Sequence, residues 1–365
     1  MKPLNIAFFG SSLVSSYWNG AATYYRGIVR ALADRGHRIT FFEPDVYERQ
    51  QHRDIEDPPW AKVVVYSPDS ADEVRRLVQR CRGTDLVVKA SGVGVHDALL
   101  EEEVLALQSD DTRVIFWDVD APATLDRLEQ DPSDPFRKLV GRYDFILTYG
   151  GGSPVIAAYE VLGARQCVPI YNALDPTTHH PVEPQAKYQA DLSFLGNRLP
   201  DRERRVEEVF LQVAAGMPDR RFLLGGSGWE DKPLTSNVTY VGHVPTADHN
   251  AFNASATAVI NISRDSMAQY GFSPATRVFE AAGAGACIIT DAWEGIGLFL
   301  KPDFEVLVAR DHRDVEEHLC HLTAGRASSI GKAARQRILS EHTYANRCDQ
   351  LESLFSTRWE PLAAH

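Results

Sequence analysis

No C-x-x-C pair occurs in this chain: its five cysteines, Cys81, Cys167, Cys287, Cys320 and Cys348, stand singly. Their scatter signals neither a zinc ribbon nor a disulfide framework, and it suits thiols kept reduced in a cytoplasmic protein. Two further absences narrow the function class. No run approaches the roughly 20 apolar residues of a membrane-spanning helix, and residues 1–10 lack the cleavage region of a secretory signal. No G-x-G-x-x-G follows a strand-like run, so the dinucleotide-dependent oxidoreductases lose their main support. Positive charge is also in deficit. With 38 Lys and Arg against 50 Asp and Glu, the net charge is −12, which argues against an extended nucleic-acid or anionic-membrane surface and leaves room for a local basic pocket.

What is present is β/α alternation, twice over. At 365 residues and 44% hydrophobic the chain can build two separate cores. Apolar runs at residues 4–9, 38–43, 62–66, 85–90, 113–117 and 143–149 read as buried parallel strands with helical periodicity between them. Residues 169–184 hold four prolines and little periodicity, which marks a boundary. The pattern then restarts with strands at 191–195, 222–224, 238–241, 258–262, 286–290 and 305–308. The expected division is an N-terminal domain at 1–170, a linker at 171–187, a C-terminal domain at 188–344 and a last helix at 345–365. The fold class is α/β, two doubly wound Rossmann-like domains facing across a cleft.

In open parallel sheets ligands collect at the C-terminal ends of the strands, so the residues that follow each run are the candidates. In the first half these are Ser11 and Ser12, then Tyr17, Trp18 and Asn19 of a long aromatic loop suited to a lid or acceptor platform. Gly92 and His96 follow the fourth strand, with Asp97 as a cap. Asp118 and Asp120 follow the fifth, and a carboxylate or His96 there could orient or deprotonate an acceptor hydroxyl. In the second half they are Gly196, Asn197 and Arg198, then Gly228 and Trp229, then His243, then Arg264. The stretch 270–291 carries the strongest signal. Ser273 can cap a helix opening at Pro274. Arg277 and Glu280, three apart, share one helical face. Backbone N–H groups at that helix start, with Arg264 or Arg277, would neutralise a diphosphate, and Glu280 would accept from ribose hydroxyls. An exposed Arg–Glu pair on an ordinary packing helix gives the same pattern, at about 0.3–0.5 kcal/mol of stabilisation.

The run Phe272-Ser273-Pro274-Ala275-Thr276-Arg277-Val278-Phe279-Glu280-Ala281-Ala282-Gly283, with Asn261-Ile262-Ser263-Arg264 before it and Glu341-His342-Thr343-Tyr344 after it, resembles the CgeB family of spore-maturation-type glycosyltransferases. That family is similar to the retaining GT-B enzymes. The resemblance covers residues 190–350 well and the first half loosely. It implies the GT-B fold, an N-terminal acceptor domain, a C-terminal nucleotide-sugar domain and a last helix crossing back to the first. It implies a nucleoside-diphosphate sugar as substrate, UDP-sugar by default, with Glu280 on the donor ribose. One departure stands out. Related retaining enzymes carry E-x7-E, and the position of the first glutamate holds Phe272, so Gln269, Tyr270 and Ser273 are the candidates for sugar recognition.

Guanidinium groups can take the place of an ion at the leaving diphosphate, so neither a metal nor a further cofactor is expected. The pairs His179-His180 and His318-x2-His321 are expected to be solvated linker and helix-face residues. The reading is metal-independent, retaining sugar transfer to an unknown acceptor. A nucleotide-sugar epimerase on the same fold and a non-catalytic nucleotide-sugar or glycan-binding protein remain open, as does the oligomeric state.

Overall fold

A computed structural model of the chain describes residues 2–17 and 19–356. The chain divides into two compact units, Met1–Tyr171 with Tyr344–His365, and Asn172–Thr343. The second unit is continuous in sequence, whereas the first is closed by a helix that returns from the C-terminal end.

The first unit is built on a seven-stranded parallel sheet, β1 (Asn5–Phe9), β2 (Arg38–Pro44), β3 (Lys62–Tyr66), β4 (Leu86–Ala90), β5 (Arg113–Asp118), β6 (Phe145–Thr148) and β7 (Cys167–Pro169), in the order β3-β2-β1-β4-β5-β6-β7. Strand β7 is the one element of this sheet that the sequence reading did not list. Its three residues end in Pro169, where the proline-rich boundary stretch begins, so they do not register as a strand. The central strands are apolar on both faces because helices cover both. Phe8 stacks on Phe41 at 5.0 Å and Phe9 on Phe42 at 4.7 Å, matching the β1–β2 register. The helices are α1 (Ala22–Asp34), α2 (Ala71–Gln79), α3 (Asp97–Glu103), α4 (Ala121–Gln130) and α5 (Gly152–Val161).

The second unit holds a six-stranded parallel sheet, β8 (Leu192–Leu195), β9 (Phe222–Gly225), β10 (Val238–Tyr240), β11 (Ala258–Asn261), β12 (Ile288–Asp291) and β13 (Leu307–Ala309), ordered β10-β9-β8-β11-β12-β13. Its helices are α6 (Pro200–Val206), α7 (Gln212–Gly216), α8 (His249–Ser255), α9 (Asp265–Tyr270), α10 (Thr276–Gly283), α11 (His312–His321) and α12 (Ala324–Glu341). A π-helical turn, Glu207–Leu211, joins α6 to α7. One face of the sheet rests on Phe194, Phe210, Val213, Trp229 and Ile260, all 1% exposed or less. The returning helix α13 (Tyr344–Ser356) belongs to the first unit and packs on α1, where Gly27 leaves room for the Tyr344 ring: a Cβ there would lie 2.2 Å from it. Among the described residues no helix is long and apolar enough to cross a membrane.

Candidate donor site

Both sheets wind outward from a central strand in two directions. In the second unit the reversal lies between β8 and β11, and ligands of such sheets bind at the carboxyl ends of the strands flanking the reversal. Arg277, in the first turn of α10, joins those two ends. Its Nε donates to the Leu195 carbonyl at 2.6 Å and its Nη1 to Asn261 Oδ1 at 3.0 Å. Its guanidinium lies 5.1 Å from the centre of the Phe194 ring, and that of Arg202, from α6, lies 5.6 Å from the same ring. Arg202 donates to the Asn197 carbonyl, is 8% exposed and forms no ion pair among the described residues. Burial, reinforced by the charge of Arg277, lowers its pKa to about 9. The two cations are thus pressed together where an anion would relieve both.

Gly196 makes this arrangement possible. A Cβ on it would lie 2.8 Å from Arg277 Nη2, 2.9 Å from Phe194 Cζ and 3.0 Å from Arg202 Nη2. Gly226 has φ 118° and its missing Cβ would fall 2.3 Å from the Gly196 carbonyl, so the loops after β8 and β9 lie in contact. Asn197 Oδ1 accepts from the Ser227 N–H at 3.0 Å and closes that contact.

Helix α10 begins later than expected. Gly271 and Phe272 both take left-handed φ values, 68° and 45°, turning the chain there, and the helix starts at Thr276 with Ala275 as its N-cap. Ser273 is buried outside the helix and does not cap it. The N-cap Ala275 makes no side-chain cap bond, and the N–H groups of the first turn form the positive end of the helix dipole. Glu280 lies one turn after Arg277 on α10, its side chain 19% exposed and its Oε1 3.9 Å from His179 Nε2.

Several candidates take different roles. Trp229 is 1% exposed and spends its indole N–H on the Gly196 carbonyl at 2.9 Å, so it supports the loop from the core instead of facing a ligand. Arg264 is held by Asp201 at 2.7 Å, and Arg198 by Glu203 at 2.7 Å and Asp231 at 2.8 Å, so carboxylates already answer both charges. Gly228, with φ 91°, turns the loop beneath Arg198. Gln269 is exposed and Tyr270 half-buried at the end of α9, and His243 is exposed after β10. His179, expected in solvent, is 5% exposed, because Asn250 of α8 clips its segment down through Thr178 and His180.

In the first unit the reversal lies between β1 and β4. Arg49, a residue the sequence reading passed over, is 5% exposed and donates through Nη1 to the Ser11 carbonyl at 3.0 Å and the Val93 carbonyl at 3.4 Å, bridging the loops after those strands. Ser11, Ser12 and Asn19 form a closed network. Ser11 Oγ donates to Asn19 Oδ1, Asn19 Nδ2 to the Ser12 and Ser15 carbonyls, and Ser12 Oγ to Glu43. These three shape the loop. Tyr17 is 38% exposed and stacks on His52 at 4.1 Å, while Trp18 lies outside the described residues.

The two carboxylates after β5 part company. Asp118 is fully buried and accepts from Ser91 Oγ, Thr124 Oγ1, Tyr159 Oη and the Asp120 N–H, and burial raises its pKa despite those four donors. It is a structural group, which corrects the expectation of an acceptor contact, whereas Asp120 is exposed. His96 stands at the N-cap position of α3 with φ 55° and makes no side-chain cap bond; its Nε2 donates to the Pro68 carbonyl at 2.7 Å. Asp97 serves the loop, accepting from the Val93 and Gly94 N–H groups and from the buried Lys89, so its pKa is lowered by the lysine charge and those hydrogen bonds against its own burial. Gly92 is exposed, with open space where a Cβ would be.

Residues 202–353 match a family model described as glycosyl transferase-like. No curated protein matches the chain by sequence. Among solved structures, sucrose-phosphate synthase from Thermosynechococcus elongatus superposes with a TM-score of 0.69 at 15% identity, covering 96% of this chain and 98% of that one. HepE of Anabaena in complex with UDP and glucose gives 0.70 at 13% identity over 97% and 99%. The T4 phage BGT in complex with its UDP-glucose substrate gives 0.61 at 12% identity over 97% and 100%. The two parallel-sheet α/β units therefore have the GT-B glycosyltransferase fold.

Proposed function

We propose that the chain transfers a sugar from a nucleoside-diphosphate sugar, with a UDP-sugar as the first choice, to an acceptor hydroxyl. The observation that carries this is the pair of guanidiniums of Arg277 and Arg202, fastened to backbone and amide oxygens around Gly196 at the reversal of the second sheet. With the N–H end of α10 they make a site for a diphosphate, each charge-assisted hydrogen bond contributing about 1.5–3 kcal/mol. The same groups stabilise the charge that grows on the departing diphosphate as the glycosidic bond breaks, so the chemistry proceeds without a metal. Glu280, one turn along the helix, accepts from the ribose hydroxyls. Gln269 and Tyr270, beside the turn at Gly271 and Phe272, are assigned to the sugar.

The first unit is assigned to the acceptor, through Gly92, Tyr17 and Asp120 at the open end of its sheet. Retention of anomeric configuration and a CgeB-like subtype follow from the sequence resemblance. The similar structures of HepE with UDP and glucose and of T4 phage BGT with UDP-glucose favour the uracil base.

The test is a thermal-shift screen of the full chain against UDP, GDP, dTDP, ADP and CMP sugars, because a ligand that binds only the native state raises its melting point. The stabilising donor is then incubated alone and with acceptors. Free nucleotide with a glycosylated acceptor supports transfer. A rearranged sugar from donor alone points to an epimerase, and binding with neither product nor slow hydrolysis points to a binding protein.

A further inference from the structure

His179, His249 and Glu280 converge in the second unit from three separate stretches of chain. One ligating atom of each lies within 4.8 Å of the other two. The approach is built by the surrounding structure. Asn250 of α8 donates to the Thr178 carbonyl at 2.9 Å and accepts from the His180 N–H at 3.2 Å, which fixes the 178–180 segment against the helix that His249 opens. The same segment lies against α10 at Gly283, where a Cβ would fall 2.5 Å from Leu174 Cδ1 and 3.0 Å from the His179 carbonyl. Gly283 is one turn beyond Glu280, so one small residue lets the histidine segment approach the carboxylate.

The chemistry of the cluster is that of electron-pair donors. His179 is 5% exposed, and its buried Nε2 has no hydrogen-bond partner among the described residues. Its Nδ1 lies 3.0 Å from Thr178 Oγ1. His249 Nε2 lies 3.2 Å from the Val244 carbonyl, which can only accept, so the proton sits on Nε2 and the lone pair on Nδ1. Burial, opposed by the charge of Glu280, lowers the His249 pKa and favours the neutral ring. Hydrogen bonds from the far nitrogens of such rings are the outer-shell contacts that set tautomer and orientation in metal sites.

We propose that His179 through Nε2, His249 through Nδ1 and a Glu280 carboxylate oxygen form a zinc site with a fourth position open to water. Two imidazoles and one carboxylate are a ligand set suited to Zn2+. Bond lengths of about 2.0–2.1 Å place tetrahedral donors about 3.4 Å apart, so binding draws the three side chains together by about 1 Å. The site stands independently of the sugar-transfer reading. One consequence does rest on that reading: with Glu280 on the donor ribose, zinc and donor exclude each other, and the metal acts as an inhibitor of a reaction that does not need it.

The full chain, stripped of metal with a chelator and dialysed, is titrated with Zn2+ by calorimetry and with Co2+ by visible absorption. The expected result is one equivalent bound, tetrahedral cobalt bands, and affinity at least about tenfold weaker in both His249→Ala and Glu280→Gln. The double variant His318→Ala/His321→Ala, altering the pair on α11, should bind as the parent does. Should His249→Ala fail to fold, the isosteric Glu280→Gln carries the same test. No binding, unchanged affinity in the cluster variants, or loss confined to the α11 variant each overturns the site. UDP is titrated separately into the same proteins. Zinc binding with UDP affinity unchanged in Glu280→Gln leaves the metal site standing and removes Glu280 from the donor. UDP binding that depends on Glu280, without zinc binding, does the reverse.

Discussion

Two guanidiniums packed on one phenylalanine ring repel each other, and they stay there because each is fastened to an oxygen of the loops at the sheet reversal. Arg202 bonds the Asn197 carbonyl, and Arg277 bonds the Leu195 carbonyl and Asn261. Removing Arg202 should therefore weaken UDP binding at least about tenfold, or 1.4 kcal/mol, while Arg264→Ala, whose guanidinium is held by Asp201, should change it by less than about threefold on the same scale. Calorimetry on the two variants checks the contrast, and equal losses would count against it. Asp118 allows a pH prediction. Burial raises its folded pKa above the ordinary value of 3.8, so its contribution to stability is full below that value and is lost as pH rises through the folded pKa. Asp118→Asn keeps a neutral group in place, and Tyr159 can turn its hydroxyl to accept from the new amide. The variant should gain stability relative to the parent as pH rises from about 4, measured as urea midpoints across pH. A constant difference would contradict this.

At the scale of elements, the loop after β8 and the start of α10 operate as one unit. Gly196 is the residue on which they depend, since a Cβ there would displace both guanidiniums. Gly196→Ala should cost UDP at least about tenfold in affinity with a melting point close to that of the parent; a variant that binds normally would show that the loop has slack. Twelve of the thirteen strands among the described residues were legible in the sequence, because central parallel strands are continuous apolar runs ending in small residues. Strand β7 was not, because its Cys-Val-Pro runs straight into the proline-rich boundary. Of the candidate donor residues, Arg277 and Glu280 stand out in the sequence by their helical spacing and by the resemblance. Arg202 was hidden among the charges of Asp201 to Arg205, because nothing local says which arginine on a charged helix turns inward. His249 and His179, 70 residues apart, meet only through tertiary packing. The reading of Ser273 as a cap relied on Pro274 at the first helical position, and the left-handed turn at Gly271 and Phe272 moved the helix start beyond both.

At the scale of the molecule, the first unit is discontinuous, and α13 completes it. Arg35 pairs with Asp349 at 2.5 Å and Glu352 at 3.1 Å, His37 reaches Glu352, and Tyr344 fills the space at Gly27. A chain ending at residue 343 should lose hydrogen-exchange protection in α1 and β1 while its second unit, residues 172–343, still binds UDP. Undiminished protection of α1 would show that the first unit folds without its returning helix. The central claim is that a nucleoside diphosphate binds at the reversal of the second sheet. Titration calorimetry of UDP into the full chain and into Arg277→Ala tests it most directly. Saturable binding to the parent is expected, with an affinity at least about tenfold lower in the variant; equal affinity in the two, or no binding of UDP, GDP, dTDP or ADP to the parent in parallel titrations, rules the site out.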